Sequence, residues 1–212
     1  SFAFVLVPPL ARDLGLSVIE TSIIFSISAV AWAITSSSWG RASDKYGRRN
    51  IAVIGLIGYS ISIIALITPL FLVERNILDF VFLLPLLILG RLINGLIGSA
   101  TRPAAFAYIA DISSRTKRTK KFARLESSFL IGTIMGPMIG GFLFLYSKPL
   151  PFYIFAMCGF ISALGIFLTF PKITPLKEKA DIMISNLSFK DKSVWPFLFI
   201  AALSSLCQAS LL

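Results

Sequence analysis

A chain of 212 residues that is 56% hydrophobic and only 14% charged cannot coat a water-facing surface, because soluble domains carry about 25% charged residues. Its formal charge of +10 would suit nucleic acid, but the basic residues lie between long apolar runs and not along an amphipathic face, so no nucleic-acid partner is expected. Histidine is absent and Cys158 and Cys207 both fall inside apolar runs, which argues against a metal site, a disulfide framework or a cofactor; with no nucleophile–base pair in view, no catalytic residues are expected and the protein is not read as an enzyme.

The apolar residues come in blocks of about 20, the length that crosses a hydrocarbon core of roughly 30 Å. The fold class is therefore an all-α polytopic membrane protein. Residues 2–10 read as the outer end of a first span, stopped near Pro8 and Pro9. A second span follows at residues 21–39, then the basic link 40–50, then a third span at 51–70. The fourth, at 80–110, is longer and carries Arg91 and Arg102. The most basic link, 111–124, precedes a fifth span at 125–146, and a tight turn with Lys148, Pro149 and Pro151 leads to a sixth at 152–170.

Residues 1–171 thus form one transmembrane bundle, residues 172–193 a hydrophilic connector, and residues 194–212 the start of a seventh span. The first run is too short to cross a bilayer, and the last has barely begun when the chain stops at Leu212. The expectation is a piece of a longer protein, with its first helix truncated. The links after the second, fourth and sixth spans hold fifteen Lys and Arg, and those after the first, third and fifth hold three. The positive-inside rule then places links 40–50, 111–124 and 172–193, with the N-terminus, in the cytoplasm.

Three stretches carry more than topology. The link Gly40-Arg41-Ala42-Ser43-Asp44-Lys45-Tyr46-Gly47-Arg48-Arg49 sets one carboxylate among four cations, and Gly47 permits the positive φ of a tight turn. A plain positive-inside anchor is one reading of it; a gate built on Asp44 and Arg48 is the other. In the fourth span Arg91, Gly95, Gly98 and Arg102 recur at helical spacing on one face, with Asn94 beside them. A guanidinium at membrane depth costs at least ~2.5 kcal/mol, so that face should line a water-filled cavity or meet an acidic partner. Arg102 is near enough to the end to snorkel to the cytoplasmic surface; Arg91 is not. In the fifth span Gly132, Gly136 and Gly140, with Pro137 and Gly141, make a smooth face for close helix packing.

These stretches, in this order, resemble the signatures of the major facilitator superfamily. The link resembles its G-x-L-[A/G]-D-[R/K]-x-G-[R/K]-[R/K] pattern, with Ala42 in place of leucine; Arg91 to Gly98 resembles R-x-x-x-G-x-x-G; Gly132 to Gly141 resembles the G-x-x-x-G-P-x-x-G-G of its drug:proton antiporters. The likeness is strongest to the tetracycline-exporter type, whose fourth helix also ends like Ala107-Tyr108-Ile109-Ala110-Asp111. The resemblance implies the N-terminal six-helix bundle of a twelve-helix transporter. It implies a gating latch of Asp44 and Arg48 against a missing C-terminal bundle, and a proton-coupling role for Arg91. It implies a fifth helix packed on that second half.

One departure is visible: Ser62 stands where tetracycline exporters carry an acid, and no Asp or Glu is expected at mid-membrane. The implied function is proton-coupled efflux of small amphipathic molecules by alternating access across a bacterial inner membrane, the partners being lipid, substrate, protons and the second bundle. Two alternatives are a superfamily transporter of sugars, siderophores or other metabolites, and a non-transporting scaffold or inactive truncated product.

Overall fold

The computed structural model describes residues 2–170, so the connector expected at 172–193 and the seventh span lie outside the described residues. Those described are helical almost throughout: α1 Phe2–Asp13, α2 Val18–Tyr46, α3 Arg48–Glu74, α4 Leu83–Leu96, α5 Thr101–Asp111, α6 Arg115–Tyr146 and α7 Leu150–Thr169. Five stretches are long and apolar enough to cross a membrane: α2, α3, the composite Phe80–Asp111, Thr116–Tyr146 and α7.

The helices run further than the apolar runs do. α1 continues through Pro8 and Pro9, where the sequence suggests a stop, because Leu10 and Ala11 beyond the prolines are buried in the core and hold the last turn in place. α2 starts at Val18, since Ser17 and Glu20 close a capping box: Ser17 Oγ accepts from the Glu20 amide and a Glu20 carboxylate oxygen accepts from the Ser17 amide. The basic link expected at 40–50 is not a loop. Nothing from Arg41 to Tyr46 breaks a helix, so α2 runs to Tyr46, α3 begins at Arg48, and the whole turn is Gly47 at φ +94°. Likewise the basic residues from 115 on form the first turns of α6.

The fourth span, expected as one helix, is two. A 3-10 turn at Gly98–Ala100 separates α4 from α5, and the Ala100 amide donates to Ile97 O at 3.0 Å. Weak helix formers at Gly95 and Gly98 allow this, and α2 stabilises it. The Trp39 indole donates to Leu96 O, and the Thr35 hydroxyl lies 2.9 Å from both Gly95 O and Ser99 Oγ. Those carbonyls are the ones that a switch from α to 3-10 bonding leaves without a backbone donor.

α3 is the central helix. It packs against α7, α4, α5 and α2, and its buried Ile63, Leu66, Ile67 and Leu70 form one core with Leu10 of α1, Ile24 of α2, Leu83 and Leu87 of α4 and Phe152 of α7. Small residues set the helix separations, as suits a bundle in lipid. A Cβ added at Gly95 would stand 2.6 Å from Ser28 O of α2, and one at Gly55 2.6 Å from the Thr101 amide of α5. Large apolar side chains cover the outside, among them Ile34, Ile134, Leu145 and Leu168, a surface suited to acyl chains and not to water.

Candidate functional site

Three groups of sequence-singled residues are brought to three different places. The first is where α2, α3 and α5 end together. Arg48, 9% exposed, sends Nε to Asp111 Oδ2 at 2.9 Å and Nη1 to Ser43 Oγ at 2.7 Å, and Nη2 pairs with Asp44 Oδ1. Ser43 in turn donates to Gly40 O at 2.8 Å. One buried guanidinium of α3 therefore serves a carboxylate and a hydroxyl from α2 and a carboxylate from α5. Three directed bonds fix its orientation and offset its desolvation.

Asp44 does not gather the four cations of its link as the sequence suggests; it meets Arg48, and Arg49 goes elsewhere. Arg49 Nη1 donates to Phe170 O at 3.1 Å and its guanidinium lies 4.9 Å from the Phe167 ring centre, tying α3 to the end of α7. Arg118 and Lys121 of α6 donate to Ala110 O and Ile112 O at 3.0 and 3.2 Å, where cations suit the carbonyl end of α5. At the opposite ends of the helices Lys148 donates to Glu74 at 3.0 Å, which holds the ammonium above its ordinary pKa.

The second place is Arg91, 7% exposed within the bundle. Its guanidinium stands 4.7 Å from the centre of the Phe25 ring and 5.5 Å from that of Phe4, rings themselves stacked at 4.3 Å. Its Nε has no hydrogen-bond partner among the described residues. Aromatic faces compensate a desolvated cation by ~2 kcal/mol, less than the cost of burying it. Asn94 folds its amide over Gly98: a Cβ there would meet Asn94 Oδ1 at 2.9 Å. Ser62 of α3 is 2% exposed and donates to Tyr59 O at 2.8 Å.

Arg102 occupies the third place. The 3-10 turn rotates α5 relative to α4 by roughly 60°, three residues at 120° in place of 100°. Arg91 and Arg102 consequently meet different neighbours. Arg102 does not merely reach for the surface: its Nη2 donates to both Glu126 oxygens, at 2.8 and 2.9 Å, across to α6. In α6, which continues unbroken through Pro137, Gly140 is buried and Gly136 half-buried. Nothing lies within 4 Å of a Cβ at Gly132 or Gly141; no described helix sits against those two. Between α2 and α4 runs an open groove of about 510 Å³, lined by Ile23, Ile27, Val30, Ile34, Leu92 and Leu96, with Ser26 and Thr35 as its polar spots.

Several partners escaped sequence reasoning: Asp111 and Ser43 on Arg48, Phe4 and Phe25 on Arg91, Glu126 on Arg102. A signal existed for Glu126: an arginine in a span lines a water-filled cavity or meets an anion, and Glu126 borders the fifth span.

The family model described as Major Facilitator Superfamily matches residues 1–212. The chain belongs to the Major Facilitator Superfamily. Among curated relatives, tetracycline resistance protein, class B, of Escherichia coli is 31% identical over 177 residues, 84% of this chain and 41% of that protein. Quinolone resistance protein NorA of Staphylococcus aureus is 32% identical over 159 residues, 75% of this chain and 36% of that protein. The matched region is thus roughly two-fifths of the length of these relatives. As a member of the Major Facilitator Superfamily with five membrane-length helices among the described residues, the chain is a multi-pass integral membrane protein.

Proposed function

We propose that this chain is the N-terminal bundle of a proton-coupled secondary transporter that expels small amphipathic molecules by alternating access. Its membership of the superfamily supports transport, and the names of its relatives, resistance proteins for tetracycline and for quinolones, support efflux. The observation that carries coupling is Arg91. A cation buried among phenyl rings, with Nε unpartnered, is held at a cost that a purely structural position has no reason to bear. Any carboxylate that arrives beside it is held ionised by its charge, and one that leaves is free to take a proton.

The Arg48 cluster fits a gate. It binds the ends of α2, α3 and α5 into one unit while leaving Asp44 half-exposed, so that Gly40, Asp44, Gly47, Arg48 and Arg49 can present a rigid edge to a second bundle. The open positions of α6 at Gly132 and Gly141, in one glycine-rich stretch with Gly136, Pro137 and Gly140, are where a helix of that bundle would pack. In this reading Arg48, Asp111 and the first turns of α6 face the cytoplasm, the membrane being a bacterial inner membrane.

The test uses the full-length protein in proteoliposomes under an imposed pH gradient, with a tetracycline and a quinolone as probes. Wild type moves at least one of them in exchange for protons, and Arg91→Ala, correctly folded, does not. Unchanged proton-driven movement in Arg91→Ala refutes its coupling role. Failure of wild type to move either probe refutes the efflux reading.

A further inference from the structure

Two arginines are buried among the described residues, Arg48 and Arg91. Arg48 has two carboxylates; Arg91 has rings. No described carboxylate pairs with Arg91 and its Nε is unpartnered, while its guanidinium rests 4.7 Å from the Phe25 ring centre and 5.5 Å from that of Phe4. Both distances lie inside the roughly 6 Å over which a ring quadrupole holds a cation. The cation comes from α4 and the rings from α2 and α1, so this seat exists only in the assembled bundle.

The two rings differ. Phe25 is buried in the core with Ile24, Leu66 and Leu87, and packing fixes its place. Phe4 is 54% exposed and backs Phe25, the centroids 4.3 Å apart and the planes 29° from parallel. A leucine at position 25 would fill much of the same volume. What the phenyl adds is a face for the cation. A desolvated cation–π contact and a charge-assisted hydrogen bond are similar in strength, so a guanidinium can exchange one for the other without being trapped by either. Tyr59 of α3 also acts on Arg91, and Cys158 of α7 on Tyr59; a phenol and a thiol are neutral at ordinary pH and supply no counter-charge.

We propose that Phe25 is a positioning residue for Arg91. Its ring, backed by Phe4, stands in for a counter-ion: it holds the guanidinium while no carboxylate is beside it and releases it when one arrives. The inference rests on the coupling reading and names what holds Arg91 in the other half of the cycle. Without the ring face the cation stays on its carboxylate, which then takes up a proton only at lower pH.

The experiment follows that proton with no transport involved. Full-length protein in nanodiscs is treated with dicyclohexylcarbodiimide, which modifies carboxyl groups in apolar surroundings only when they are protonated, and labelling is measured against pH by mass spectrometry. Position 25 carries phenylalanine with none, one, two or three ring fluorines, which weaken the π face stepwise at nearly constant volume; Phe25→Leu removes it. The labelling midpoint of a membrane-embedded carboxyl moves to lower pH with each fluorine, and by about one unit in Phe25→Leu. In Arg91→Met, whose own midpoint lies higher, the fluorines have no effect. A ring that only packs would give the same result with and without Arg91. If the heavily fluorinated chains do not fold, the single-fluorine step decides. A level midpoint, a move to higher pH, a shift that persists in Arg91→Met, or no labelled carboxyl within the spans overturns the proposal. Failure of the coupling reading shows separately, as proton-driven exchange that survives Arg91→Ala in the proteoliposome assay.

Discussion

Arg48 joins two carboxylates that differ in exposure, and the difference predicts unequal energies. Its side chain is 10% exposed, that of Asp111 31% and that of Asp44 52%. At about 4 Å and an effective dielectric near 20 the raw attraction is ~4 kcal/mol, most of which desolvation offsets on the buried side and screening removes on the exposed side. What survives for Arg48 and Asp111 is a charge-assisted bond of ~1.5–3 kcal/mol. For Arg48 and Asp44 it is ~0.2–1 kcal/mol, although only four residues separate them across the Gly47 turn. The assay is a pair of double-mutant cycles, Arg48→Gln with Asp111→Asn and Arg48→Gln with Asp44→Asn, read by denaturation of the full-length protein in micelles. An Asp111 coupling below about 0.5 kcal/mol, or one smaller than that of Asp44, refutes the claim that the cluster is a tertiary clamp on α5.

Two backbone positions give sharper steric predictions. Gly95→Ala drives a methyl into Ser28 O and Ala31 Cβ, at 2.6 and 2.7 Å. The same denaturation should show a loss of ~1–3 kcal/mol, whereas Gly165→Ala, with nothing within 4 Å, gains up to ~1 kcal/mol from helix propensity. Gly47→Ala must hold φ +94° with a side chain, at ~1–3 kcal/mol; a change below about 0.5 kcal/mol would mean that the turn relaxes to another geometry.

How far the sequence reached can be read at particular residues. The spans were legible because a long apolar run has few places to go, and the glycine turn because Gly47 follows six residues with no other candidate. Their ends were not: helices continue past Trp39, Leu70 and back from Leu125, since backbone bonding outlasts hydrophobicity wherever no breaker intervenes. The break at Gly98 was missed for the opposite reason. Nothing in residues 80–110 demands it, and it depends on Trp39 and Thr35 of another helix accepting the role of backbone donors.

The candidate sites divide the same way. That Arg91 needs special surroundings follows from its depth in an apolar run, because a guanidinium in lipid is costly; Arg48 stands in a basic link and Arg102 near enough to a span end to reach water. Which surroundings each receives depends on contacts 63 residues away for Arg48 and 24 for Arg102, and for Arg91 on rings in α1 and α2. By itself, then, the sequence determined the solvent, the five membrane-length apolar runs of the described part and the depth of Arg91, all consequences of local hydrophobicity and charge. Only the tertiary structure decided the partners and the phase of the fourth span. Those depend on how closely small residues let helices approach, and a pattern read along one chain does not contain that distance.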